Sequence, residues 1–224
     1  MKGRVAAIFD VDGTLFNNPS TERRFIKYLL QRDKFPLKAY LNFLLGAIIL
    51  VPKGISTVLK GNKYYLRGWS VEETEEILKE FFEARMVPVL QNEIAERVRW
   101  HQKEGHLILL LSGMPSFVLE KFGEYFGVEY LYGSQVSQRG GKFLGPLENE
   151  HRYGGKKGKT VVRFAEENGV DLKASYGYGD HYTDRYFLKL VGHPVAVNPS
   201  KELKRLAERE GWEVVWYRTK WRRP

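Results

Sequence analysis

The chain has no cysteine, which excludes disulfides and thiolate metal sites and makes a cytoplasmic setting the default expectation. No signal-peptide pattern precedes the first apolar run. Its apolar stretches fall short of the roughly 20 residues that a transmembrane helix needs. Internal repeats and low-complexity linkers are missing. Apart from His181, the histidines have no partner at metal-ligand spacing. Methionine is scarce while Glu, Lys and Arg abound, a usage that resembles thermophile composition.

What is present suffices for a sizeable core. With 224 residues, 43% hydrophobic and 28% charged, the chain fits one large domain or a domain with an insertion. Its formal net charge of +9 is compatible with nucleic acid, an anionic membrane or a phosphorylated small substrate. Much of the excess sits in the clusters Lys156-Lys157-Lys159, Lys201-Lys204-Arg205 and Arg218-Lys220-Arg222-Arg223. Solvated helix faces and a frayed end account for such clusters equally well.

The stretch Ala7-Ile8-Phe9-Asp10-Val11-Asp12-Gly13-Thr14-Leu15 organises the rest. The run from Val5 to Phe9 reads as a buried strand. Asp10 and Asp12 follow at i and i+2, which in an extended backbone point to the same side. Two like charges ending an apolar strand are costly unless a cation or a polar site receives them. Gly13 permits a sharp turn and close backbone approach.

From Leu15 the pattern is helical for about eighty residues. Thr21 to Arg32 is amphipathic, and Ala39 to Val51 (AYLNFLLGAIILV) is nearly all apolar. The latter is expected to be a buried helix of a small bundle, with a lipid-covering surface helix as the alternative. Ser70-Val71-Glu72-Glu73 offers a capping box, and a further helix is expected from about Val87 to Lys103. A strand-helix rhythm then begins. Leu107 to Leu111 reads as a central parallel strand ending in Ser112-Gly113, with a helix over Ser116 to Phe126. A hairpin is expected around Arg139-Gly140-Gly141. A helix starting at Gly158-Lys159-Thr160 follows, then strands at Ala174 to Gly179, Pro194 to Asn198 and Glu213 to Tyr217. This alternation argues for a parallel sheet covered by helices, in which ligands sit beyond the carboxyl ends of the strands.

Four such places carry reactive residues in order: Asp10-Val11-Asp12-Gly13-Thr14, Leu110-Leu111-Ser112-Gly113, Gly158-Lys159, and Gly179-Asp180-His181-Tyr182-Thr183-Asp184. With these the chain resembles the haloacid dehalogenase-like hydrolase superfamily over essentially its whole length, and its phosphoserine-phosphatase-like branch in particular. The resemblance implies an α/β fold: a Rossmann-like three-layer core with a parallel sheet, made of 1–15 and 101–224, and an inserted α-helical cap, 16–100, that selects substrate. It also implies a magnesium-dependent phosphomonoesterase acting on a small phosphorylated metabolite. Magnesium would be held by the Asp10 carboxylate, the Asp12 carbonyl and Asp180, with Asp184 supporting Asp180 or orienting water. Ser112, the Gly113 N–H and Lys159 would bind phosphate; Lys156 and Lys157 compete with Lys159 for that role, which its place at the helix start favours.

The chemistry is consistent with that assignment. Cleaving a phosphate monoester is largely positioning and charge neutralisation. A carboxylate can attack phosphorus and form an aspartyl-phosphate; Asp10 suits that step, and Asp12 suits general acid-base catalysis. The dehalogenases of the superfamily do not use such a second Asp. Phosphoserine itself fits poorly as substrate: the acidic motif reads GDHYTD, not GDGxND. An amine-reading acid is also missing at Asn17-Asn18-Pro19-Ser20, where Glu22 would serve only after a register shift. His181 is read equally as a substrate contact or as solvent-facing. Two other readings stay open: a lipid-phosphate or membrane-surface phosphatase or binding protein using the apolar cap helix and basic tail, and nucleic-acid binding through Trp212, Trp216, Tyr217 and Trp221. Packing of those aromatics on the domain is favoured over the second.

Overall fold

Apolar runs too short for helices become the strands here. In the computed structural model, which describes residues 3–17, 19–148 and 155–217, the chain order begins with β1 (Ala6–Phe9). The helices α1 (Thr21–Gln31), α2 (Leu37–Leu50), α3 (Ile55–Gly61), α4 (Val71–Phe81) and α5 (Asn92–Lys103) follow. The strand-helix part comprises β2 (Leu107–Pro115), α6 (Ser116–Phe126), β3 (Tyr130–Ser134), β4 (Val136–Arg139), β5 (Lys142–Leu147), α7 (Gly155–Asn168), β6 (Tyr176–Gly179), α8 (Arg185–Leu188), β7 (His193–Val197), α9 (Lys201–Glu210) and β8 (Glu213–Val215).

Six strands form one sheet in the order β3-β2-β1-β6-β7-β8, and every adjacent pair is parallel. The α/β expectation is met. β1 is buried on both faces: Ala7 and Phe9 join one apolar cluster, Ala6 and Ile8 the other, as the period of two along a strand requires. α5 and α6 cover the first face with Val98 and Phe122. α7, α8 and α9 cover the second with Phe164, Leu188 and Leu203. The chain runs from β1 outward to β3 and then returns to place β6 on the opposite side of β1. That reversal makes the β1/β6 junction the switch point, where a crevice opens at the carboxyl edge.

The helices α1 to α4 leave and rejoin this layer side by side. Phe16 bridges Leu90 in antiparallel fashion, and Gln91 N–H donates to the Leu15 carbonyl at 2.9 Å. The expected helix from Val87 starts only at Asn92, because Leu90 and Gln91 are extended as they cross back. The expected limit at Trp100 falls inside α5, which packs on the sheet: the His101 ring meets Phe9 edge-on and its Nε2 lies 2.9 Å from the Tyr178 hydroxyl. The Arg139-Gly140-Gly141 hairpin forms as expected, β4 pairing with β5. It also grips the helical segment: the Gly68 and Val71 N–H groups donate to Phe143 and Gly141, and Phe143 N–H donates to Trp69. β3 was not expected, since only a few apolar residues separate Gly127 from Gly133.

Two expectations are corrected. Residues 39–51 do form a helix, α2, but it is not the buried member of a bundle. Leu37, Leu44 and Ile48 are 74%, 59% and 72% exposed, while the buried residues of α2 are Ala39, Asn42 and Gly46. A glycine at 46 lets α2 lie directly on Tyr64, because a Cβ there would come within 2.6 Å of that ring. The C-terminal aromatics divide: Trp212 and Tyr217 pack against the two clusters, Trp216 is exposed, and Trp221 with the basic residues from Arg218 onward lies outside the described residues. Among the described residues no helix is long and apolar enough to cross a membrane.

Candidate active site

Register alone brings the acids together. Phe9 pairs with Leu110 on one side and Tyr178 on the other, so Asp10 and Asp180 sit just past the carboxyl ends of β1 and β6, and Ser112, still within the longer β2, lies beside them. Asp10 is fixed by its own backbone N–H, which donates to the Tyr178 carbonyl at 2.9 Å. The turn that follows depends on Gly13: its φ is +99°, and a Cβ there would strike the Asp180 carboxylate at 2.1 Å. Asp180 is anchored from behind, its carbonyl accepting from Ser200 N–H at 2.7 Å.

Lys157 is the cation of the site. It is 4% exposed, and its Nζ donates to Asp10 Oδ1 and, at 2.7 Å, to Asp184 Oδ1. Lys159, the lysine favoured from the sequence, is exposed. α7 has begun by Gly155, so Lys157 lies in its first turn, and two further residues rotate a side chain by about 200° to the opposite face. Asp184 accepts from the N–H groups of His181 (3.0 Å) and Asp180 (3.2 Å) through Oδ2. It therefore acts both as the cap of its turn and as a brace between Lys157 and Asp180. Ser112 is 1% exposed, and its Oγ accepts from Met114 N–H at 3.2 Å. Ser134 donates to the Gly113 carbonyl at 3.0 Å, which ties the end of β3 to β2 there. His181 uses Nδ1 on Thr183 and faces outward.

Asp12 points elsewhere than Asp10. Its Oδ1 accepts from both the N–H (2.7 Å) and hydroxyl (2.8 Å) of Thr21, the first residue of α1. The second carboxylate of the motif is thereby tied to the helical segment, at a helix N-terminus that favours negative charge. Next to it, Glu22 is held by both oxygens: Oε2 accepts from Lys63 Nζ at 2.6 Å and Oε1 from the Tyr65 hydroxyl at 2.9 Å. A second clasp joins Asn17, Gln91 and Asn198 by amide contacts of 3.1–3.2 Å. Neither Lys63 nor Asn198 is marked by any local motif, and only the fold brings them here.

The electrostatics ask for more positive charge. Burial pushes the Asp10 carboxyl up to about 7, against the pull of Lys157. Burial, with the charges of Asp10 and Asp184, pushes Asp180 up to about 9. Asp12 is also raised, by burial opposed by the Thr21 bonds. Burial works to lower Lys157, but Asp10 and Asp184 outweigh it and hold its pKa high. Asp10, Asp180 and Asp184 can each offer an oxygen within 4.8 Å of the others. Fully ionised, they carry three negative charges against the one positive charge of Lys157. Asp180 Oδ1 is buried with no hydrogen-bond partner among the described residues. Hard oxygen donors, excess negative charge and an orphaned carboxylate oxygen fit a divalent cation such as magnesium.

A family model described as haloacid dehalogenase-like hydrolase matches residues 7–189. The chain belongs to that family. It is an enzyme of the hydrolase type. It is 28% identical over 219 residues to the phosphoserine phosphatase SerB1 of Mycobacterium tuberculosis H37Rv, covering 95% of this chain and 71% of the relative. It is also 28% identical over 221 residues to a histidinol-phosphatase of Neisseria meningitidis serogroup C, covering 93% and 97%. Among solved structures, a protein of unknown function from Bordetella pertussis Tohama I superposes with a TM-score of 0.81 and 25% identity, covering 96% of this chain and 99% of that one. Equal identity to relatives named for different substrates selects no one substrate.

Proposed function

We propose that the chain is a magnesium-dependent phosphomonoesterase that works through an aspartyl-phosphate on Asp10, in a cytoplasmic setting, on a small phosphorylated metabolite. The observation that carries this reading is the cluster of Asp10, Asp180 and Asp184, with Lys157 bridging Asp10 and Asp184, at the switch point of the sheet. An Asp10 oxygen bonds to phosphorus as the ester P–O bond breaks, and Asp12 gives its proton to the leaving oxygen. Asp12 then takes a proton from water as that water's oxygen attacks phosphorus. The Asp10–phosphorus link breaks and inorganic phosphate leaves. Burial that raises Asp12 toward neutrality supports its role as acid in the first half.

Magnesium held by Asp10, Asp180 and the Asp12 carbonyl, with Asp184 behind or beside them, would supply neutralising charge for the phosphoryl oxygens. Lys157 takes the place assigned from sequence to Lys159 as the phosphate cation, joined by Ser112 and the Gly113 N–H. Residues 1–15 and 101–224, joined by the rest of α5, would form the catalytic core, and α1 to α4 the substrate-selecting cap.

The state of Glu22 bears on substrate class. Both of its oxygens already accept, from an ammonium and a hydroxyl of the chain itself, so the Lys63 charge offsets the one that a substrate amine would seek. A phosphomonoester without an amine is favoured over phosphoserine. A panel of phosphorylated alcohols, sugars and amino alcohols, assayed with magnesium and with chelator, tests both levels. Chelator-sensitive phosphate release with amine-free esters preferred is expected. Release that survives chelation contradicts the metal assignment, and a preference for phosphoserine contradicts the substrate class.

A further inference from the structure

We propose that α2 and the turn after it dock the protein on an anionic lipid surface, lying in the plane of the interface with their apolar side among the acyl chains. The helix is inside-out. Its buried side is small or polar: Ala39, Asn42, which donates to the Arg67 carbonyl at 3.2 Å, and Gly46 against Tyr64. Its outer side carries Leu37, Leu41, Leu44 and Ile48, spaced four, three and four residues apart on one stripe, the turn adds Val51, and the start of α3 adds Ile55; each of the six is 58–75% exposed. Ten of the eighteen exposed large hydrophobic residues among the described ones fall between 37 and 55. Patches of this kind mark interaction sites.

Charge names the occupant. Between Asp33 and Glu72 the sequence contains no acidic residue and six basic ones. Lys34 and Lys38 stand exposed at the start of α2, Lys53 just after its end and Arg67 across its base. An apolar helix fringed by cations matches an anionic headgroup layer, with lysine stems reaching along the apolar surface to the phosphates. A second copy would instead set this cation-rich, acid-free face against itself in any two-fold dimer. Fourteen residues of α2 span about 21 Å, too short to cross a bilayer whose apolar core is about 30 Å thick. An in-plane helix has no such requirement.

The test is flotation of the full chain with vesicles of phosphatidylcholine alone and with about one-third phosphatidylglycerol, without substrate, so that its outcome is independent of the phosphatase reading. Co-flotation with the anionic vesicles, weakened by high salt and at least tenfold weaker for the Leu44→Ser/Ile48→Ser variant with unchanged circular dichroism, is expected. A second variant, Leu44→Trp, should blue-shift its emission on anionic vesicles and be quenched by brominated acyl chains. Failure of the wild type to float with anionic vesicles overturns the proposal. So does a wild-type dimer that Leu44→Ser/Ile48→Ser makes monomeric without any vesicle binding, which would assign the face to a second copy.

Discussion

The two most apolar runs of the chain, Leu107 to Leu111 and residues 39–51, meet opposite fates. The first is the centre of β2, with Leu109, Leu110 and Leu111 at 0% exposure between two helical layers. The second forms most of α2, whose large side chains face outward. Composition does not separate them. What differs is the partner: β2 has a parallel strand on each side and helices above and below, whereas α2 rests on Tyr64 through its smallest residues. Burial is a property of what surrounds a run, and apolarity only makes a run eligible for it.

The contrast can be broken at several points. The largest effect is expected at the charged edge that β2 helps to frame. Lys157→Ala leaves Asp10 and Asp184 buried without their shared cation, so turnover should be lost and stability should fall by about 3–5 kcal/mol. Lys159→Ala, on the exposed side of the same helix, should stay within about 0.5 kcal/mol of wild type. Urea unfolding with parallel turnover assays distinguishes the two. Next, Leu110→Ala should cost about 2–5 kcal/mol through cavity formation, whereas Leu44→Ala should change stability by about 0.5 kcal/mol or less. A large loss at Leu44 would mean that α2 is buried after all.

A smaller effect, graded with pH, is expected beneath β1 and β6. Burial, with the nearby His106, pushes the His101 imidazole down to about 3. Below about pH 6.5 the unfolded chain takes up a proton that the folded state refuses, so this group's contribution to stability is lost as pH falls toward 3, by up to about 1.4 kcal/mol per pH unit. His101→Gln should remove that slope. Because the raised Asp10 and Asp180 act in the opposite direction, the quantity to read is the difference between wild type and variant at pH 7, 6 and 5.

Much of the site was legible because strand-end motifs are local. Asp10, Ser112 and Asp180 each follow a strand-forming run directly, Asp12 comes two residues after Asp10, and a parallel sheet brings such places together. Lys159 was favoured over Lys157 because the helix start was placed at Gly158 instead of Gly155, and a helix turns about 100° per residue; Lys157 is the lysine that meets Asp10. Lys63, Asn198 and the grip of the β4-β5 hairpin on the helical segment were invisible, since each depends on chain-distant partners. The inverted helix was misjudged for a related reason: periodicity reports which side is apolar, and nothing in it says whether another element arrives to cover that side.

The central claim is that the carboxylate ending β1 takes up the phosphoryl group. Its most direct test is mass spectrometry of peptides after rapid acid quench of the enzyme turning over p-nitrophenyl phosphate with magnesium. The account predicts a phosphoryl group on the peptide carrying Asp10, absent from Asp10→Asn, whose turnover should fall at least about 10³-fold with the fold intact. Full turnover by Asp10→Asn, or a phosphoryl group trapped on any other residue, would contradict it.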